Sequence, residues 1–319
     1  MMRKILPLTL ILAVSLASGC QMSDYAKRVV SPDAQFGKFA ESMAGTGDQM
    51  VQRKKIDACR RITTPDKVQI DVWVLKPRAA GKPGASGAAA SHGTVIVLHG
   101  LGESKACFPY FGIAERLAAK GYDVVLPDLR AHGRSEGKYV TYGVKEKADL
   151  KAVMDELIAE HLATPDIYVF GVNYSGGVAI QYAAFDSRCK GVMAIEPYKD
   201  LKSIARSGTL MLGDKDFEKV MDEVSSTAHF NPAEASALDA VRSLHCPIIV
   251  AHALLGIQAP LEQSLLIYKA APEPKKLIVP TAEQPIVAAV LEDWIAGQID
   301  TLGQMKAATT APAAAPASK

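Results

Sequence analysis

Aromatic residues are scarce in this chain: they make up 6% of its 319 residues, with two Trp in all. An excess of one charge is missing too, since the formal net charge of +2 gives no electrostatic pull toward nucleic acid. Long hydrophobic runs are confined to Ile5–Leu16, which falls short of the roughly 20 apolar residues a bilayer span needs. Histidine stops early. His252 is the last of His92, His99, His132, His161, His229, His245 and His252, and these show no paired helical spacing of the zinc-ligand kind. Neither a metal nor any other cofactor is called for. Carboxylates are absent between Leu244 and Leu261, and no internal repeat is present. What the chain does have is 49% hydrophobic residues, enough for one large core.

The first residues place Arg3 and Lys4 before that apolar run and small residues after it, the three-part pattern of a secretory signal covering 1–19. Ala17, Ser18, Gly19 and Cys20 resemble the bacterial lipobox. The resemblance implies cleavage before Cys20, acylation of its sulfur and new amino group, and attachment to the membrane through that lipid. Gln21 after the cysteine favours the outer membrane, facing the periplasm. Residues 20–55 read as a polar tether with one short helix between Ala34 and Met50. An oxidising compartment permits disulfides among Cys59, Cys107, Cys189 and Cys246. Cys189 and Cys246 each precede an expected strand, which leaves two readings open: a bridge between this pair where those strands are neighbours, or four buried free thiols.

The domain proper is expected over 56–300. Ile56–Thr63 and Lys67–Lys76 flank a Pro65-Asp66 turn and read as an antiparallel hairpin. Short apolar runs follow: TVIVL, YDVVLPD, DIYVFGV, GVMAIEP, CPIIVAH and KKLIVP. Unbroken apolar strands suit a parallel sheet covered on both faces. Between them the helical period is plain, with Leu150, Val153, Met154, Leu157 and Ile158 on one face. The expected class is α/β: a mostly parallel eight-stranded sheet, helices on both faces, and a helical excursion between Pro197 and Leu244, before the seventh strand. Residues 79–93 are linker-like, and 301–319 read as an Ala/Pro/Thr tail without fixed structure.

His99-Gly100-Leu101-Gly102 after TVIVL, and LPDLRAHGRSEG from Leu126 to Gly137, resemble the α/β-hydrolase superfamily, in particular its serine aminopeptidase and esterase-like members. The likeness runs from about Lys67 to Ile299. It implies an oxyanion loop at His99, Gly100 and Leu101, with the Leu101 and Tyr174 amides facing a developing oxyanion. His99 and His132 are structural in that family. The resemblance also implies a Gly-x-Ser-x-Gly nucleophile elbow after IYVFG. The chain reads Gly171-Val172-Asn173-Tyr174-Ser175, which puts Asn173 at the nucleophile position and Ser175 at the second glycine. The acid's position after CPIIVAH holds Gly256, and the histidine's position after KKLIVP holds Gln284.

A carboxamide is not activated by removing a proton, as a hydroxyl is by an adjacent base. Loss of a triad's nucleophile or base costs on the order of 10⁶ in turnover, about 8 kcal/mol of barrier. The sequence therefore points to a pseudoenzyme binding a small molecule, a peptide or an envelope protein. Two further readings stay open. One is a hydrolase with a non-standard nucleophile: Ser175 by a slipped motif, Asn173 after deamidation, or Cys107 or Ser104 beyond the oxyanion loop. The other is a cell-envelope interaction module that uses its surface and not its cleft.

Overall fold

A computed structural model describes residues 22–78, 90–209, 212–252, 259–279 and 288–310. Strands β1 (Ala58–Thr63) and β2 (Gln69–Leu75) form the hairpin, paired antiparallel from Ala58–Val74 to Thr63–Gln69. The remaining strands are β3 (Thr94–Val97), β4 (Asp123–Pro127), β5 (Ile167–Val172), β6 (Cys189–Ile195), β7 (Ile248–Ala251) and β8 (Lys275–Ile278). They make one eight-stranded sheet in the order β1-β2-β4-β3-β5-β6-β7-β8, with β2 antiparallel to β4 and every later pair parallel. Strands β3, β4 and β7 are buried from end to end, which is why each reads as an apolar run without alternation.

The helices are α1 (Met22–Val30), α2 (Gln35–Ala44), α3 (Gly47–Gln52), α4 (Tyr110–Ala119), α5 (Glu146–Ala159), α6 (Tyr174–Phe185), α7 (Leu201–Gly208), α8 (Asp214–Ala228), α9 (Ala237–Ala240), α10 (Leu261–Ala270) and α11 (Ala288–Thr310). Two apolar clusters, one on each face of the sheet, hold the layers together. The first joins Val72, Val74, Ile96 and Val125 to Leu150, Val153 and Met154 of α5 and to Val178 and Tyr182 of α6. The second joins Trp73, Leu75, Val124 and Phe170 to Ile113 and Leu117 of α4 and to Ile295 and Ile299 of α11. Leu150, Val153, Met154 and Leu157 fall on one side of α5 at the spacing read from the sequence, and all are buried.

Helices α7, α8 and α9 form the excursion between β6 and β7. Residues 22–52, read from the sequence as a tether with a single helix, carry α1, α2 and α3. Ala26 and Val30 of α1 are fully buried in the same cluster as Phe217, Val220, Met221 and Val224 of α8, so α1 packs on the excursion. The Val140 amide donates to the Val30 carbonyl at 2.9 Å, and the Tyr142 hydroxyl donates to that of Val29. The apolar residues of this stretch are divided among three short helices, with Pro32 and Gly45 between them, so no single long run stands out. At the other end, α11 continues to Thr310, past the Gly303 where the composition turns tail-like. Lys and Ala, good helix formers, carry it on.

Candidate active site

The elbow is formed. β5 stops at Val172, α6 starts at Tyr174, and Asn173 between them sits at φ 49° and ψ −113°. Side chains seldom adopt a positive φ, though Asn does so more readily than most. The turn is held by the Asn173 amide, which donates to the Ile195 carbonyl at 2.8 Å. Its tightness explains Gly171: a Cβ there would lie 2.2 Å from the Ser175 carbonyl oxygen. The Asn173 Oδ1 atom is buried and has no hydrogen-bond partner.

Ser175 is not aimed at a substrate. It is fully buried, its hydroxyl lies within 3.3 Å of the Leu98 and Val172 carbonyls, and it accepts the Val172 amide at 3.0 Å. It ties the start of α6 to the ends of β3 and β5. Ser104 and Cys107 are buried too; the Ser104 hydroxyl donates to the Gly37 carbonyl at 3.1 Å and lies 3.6 Å from the Cys107 sulfur.

On the oxyanion side both histidines are engaged at both ring nitrogens. His99 Nε2 accepts the Leu129 amide at 3.0 Å and Nδ1 faces the Gly100 carbonyl at 2.8 Å. His132 Nε2 accepts the Gly102 amide at 3.0 Å, with Nδ1 on the Arg130 carbonyl at 2.9 Å. Burial lowers the pKa of both rings, so both are neutral struts joining the loops after β3 and β4. The Gly100 amide lies within 3.0 Å of Glu103 Oε2 and of the Tyr110 hydroxyl, which itself donates to Glu103. Leu101 is exposed at the tip of this loop. Tyr174 opens α6, so its amide is among the first-turn donors that have no partner within the helix. Its ring packs against His132 and Tyr142, and its hydroxyl donates to Glu146.

Beneath the loops, the ammonium of Lys105 is wholly buried among Asp128, Asp71 and Glu41 and lies 4.8 Å from the Trp73 ring centroid. Burial alone would lower its pKa, but the three carboxylates hold it above the usual lysine value.

The other side of the site differs. At the carboxyl end of β6, next to the elbow, stands Glu196, buried and in the left-handed conformation at φ 49°, its amide donating to the Ala251 carbonyl at 2.8 Å. Sequence reasoning passed over it; the signal was an isolated carboxylate closing the apolar run GVMAIEP, where ligands meet such sheets. At the end of β7, His252 is buried and its Nδ1 lies 2.9 Å from Ser264 Oγ of α10, itself fully buried. Gly256 and Gln284 lie outside the described residues, as does Cys20. Between α6 and the excursion, Tyr142, Tyr174, Gln181 and Tyr198 line a cavity of about 10 Å³, room for about one water.

Cys189 and Cys246 stand at the opposite end of the sheet, at the starts of neighbouring strands. Both are free thiols in this structure, and burial together with the hydrogen bond to Cys246 raises the Cys189 pKa.

A family model described as alpha/beta hydrolase fold matches residues 93–249. Among solved structures, the esterase Pf2001 of Pyrococcus furiosus matches at 23% identity and TM-score 0.61, over 80% of this chain and 95% of its own. Est1E of Butyrivibrio proteoclasticus, with ferulic acid bound, matches at 18% identity and TM-score 0.60, over 77% and 100%. The α/β hydrolase GrgF of a Penicillium species matches at 17% and 0.60, over 78% and 99%. No curated protein matches the chain. Sheet order, elbow, matched segment and structural neighbours together make this an α/β-hydrolase-fold protein.

Proposed function

We propose that this protein is a non-catalytic member of the α/β-hydrolase fold, held at the bacterial cell envelope by a lipid on Cys20, and that it works by binding. The observation that carries the reading is Asn173 in the strained backbone of a nucleophile elbow, with a carboxamide where a hydroxyl would act. Triad hydrolysis needs a base that takes the proton from the attacking oxygen and returns it to the leaving group. No histidine follows His252 in the chain, and His252 is buried against Ser264.

A second reading has one observation in its favour. Ser264 and His252 are within nucleophile-to-base reach, and Glu196 closes the neighbouring strand, so a displaced hydrolytic set is conceivable on distance. Against it, Ser264 is fully buried.

The test is hydrolysis of a panel of aryl esters and peptide amides by the purified protein beside its Asn173→Ala and Ser264→Ala variants. The proposal expects all three to give the same background rate. Turnover that disappears with Asn173→Ala would overturn it in favour of an elbow-based enzyme, and turnover that disappears with Ser264→Ala in favour of the displaced set.

A further inference from the structure

Helix α2 turns its most apolar side to solvent. Its buried residues, Gly37 and Glu41, face the oxyanion loop and the Lys105 network, with the Gly37 amide donating to the Gly102 carbonyl at 3.2 Å. At 100° per residue the opposite direction falls on Phe39, flanked by Phe36 and Met43, and these three are 62%, 60% and 72% exposed. Leu101 and Phe108 are exposed on the loop against which α2 packs, and Val51 is exposed on α3. Three large apolar side chains aligned on one exposed helix face are a contact surface, not scattered surface residues.

Cations are plentiful in the same N-terminal segment. Lys27 and Arg28 on α1, Lys38 on α2, and Arg53, Lys54 and Lys55 after α3 are all exposed, and none forms an ion pair with another described residue. The Arg53 guanidinium reaches back to the Ala44 carbonyl at 3.4 Å, which sets it at the end of α2 next to Met43. The exposed acids of the same segment are Asp24, Asp33 and Asp48.

We infer that the α2 face is a peripheral membrane-docking surface for anionic lipid, with Phe36, Phe39 and Met43 entering the acyl boundary and the Lys and Arg residues of the same segment meeting the headgroups. Charge argues for this occupant. A second copy docked through the same face would set the cationic segment against itself, whereas an anionic lipid surface gains about fivefold in affinity per nearby Lys or Arg. Chain position agrees on the proposed lipid at Cys20, because α1 begins two residues after it and the segment that carries the patch would be the first to leave the anchor. No helix among the described residues is long and apolar enough to cross a membrane, so the contact is interfacial. The inference stands apart from the non-catalytic reading, since it uses no residue of the elbow.

The experiment uses the chain from Gln21 onward, which carries no acyl group and keeps every described residue. It is sedimented with vesicles of phosphatidylcholine alone and of phosphatidylcholine with one part in about three of phosphatidylglycerol. Binding at least about tenfold stronger to the anionic vesicles, weakened by 0.5 M salt, is expected. Phe36→Ser with Phe39→Ser should cost about tenfold or more, and Arg53→Glu with Lys54→Glu and Lys55→Glu a similar factor, both with an unchanged melting temperature. Equal binding of parent and variants on both vesicle types would overturn the inference. So would a dimer of the parent in analytical ultracentrifugation that the Phe double variant dissolves.

Discussion

The loops after β3 and β4 and the strand ends of β5, β6 and β7 form the two halves of the same cleft, and they have fared differently. In the first half the central polar side chains are engaged: two neutral histidines brace two loops, and one lysine answers three carboxylates. In the second half the elbow keeps its strained backbone, yet the side chain on it carries a buried oxygen with no partner. The part that shapes the fold is intact. The elbow position of the second half holds a carboxamide. Buried ion pairs and hydrogen-bonded struts carry stability, whereas a side chain without a partner carries little.

Substitutions on the two sides should therefore have unequal costs. Lys105→Met strands three buried carboxylates and should cost about 3–5 kcal/mol in urea unfolding. A loss below about 1 kcal/mol would erase the distinction between the halves. Next comes pH. Arg130 holds Asp149 in a bidentate pair, but burial outweighs the guanidinium and pushes the carboxyl from 3.8 up to about 6. Because the folded state then disfavours the ionised form, this group stabilises most below about pH 4. That contribution fades as pH rises to about 6 and stays flat above, a change of up to about 3 kcal/mol. Asp149→Asn should remove that slope from a stability-against-pH series, and an unchanged slope would assign it elsewhere. His132→Ala orphans the Gly102 amide and should cost about 1–3 kcal/mol. Smallest is Asn173→Ala, which loses the residue type that tolerates the elbow and should cost about 1 kcal/mol by thermal unfolding. A larger cost there would mean that the carboxamide holds the second half together.

Much of this was legible because it follows from period and punctuation. The six apolar runs became β3 to β8, and Pro65-Asp66 turned the hairpin. The elbow was legible through the resemblance to the α/β-hydrolase superfamily, with Gly171 and the strand before it fixing the register. Other parts were hidden for physical reasons. Helix α1 is nine residues long, too short to stand by itself, and its stability comes from packing on α8, which lies far along the chain. Glu196 gave no motif because its role rests on sheet order, which places β6 beside β5. The Ser264–His252 contact joins residues twelve apart on a strand end and a helix, a pairing no local pattern encodes.

The most direct test of the central claim is intact-mass spectrometry of the folded protein after exposure to a fluorophosphonate and, separately, to an activated aryl ester. The account predicts an unmodified mass in both cases. A stoichiometric adduct that maps to Asn173 or Ser264 would contradict it, because it would show that an attacking oxygen at these strand ends can still be activated.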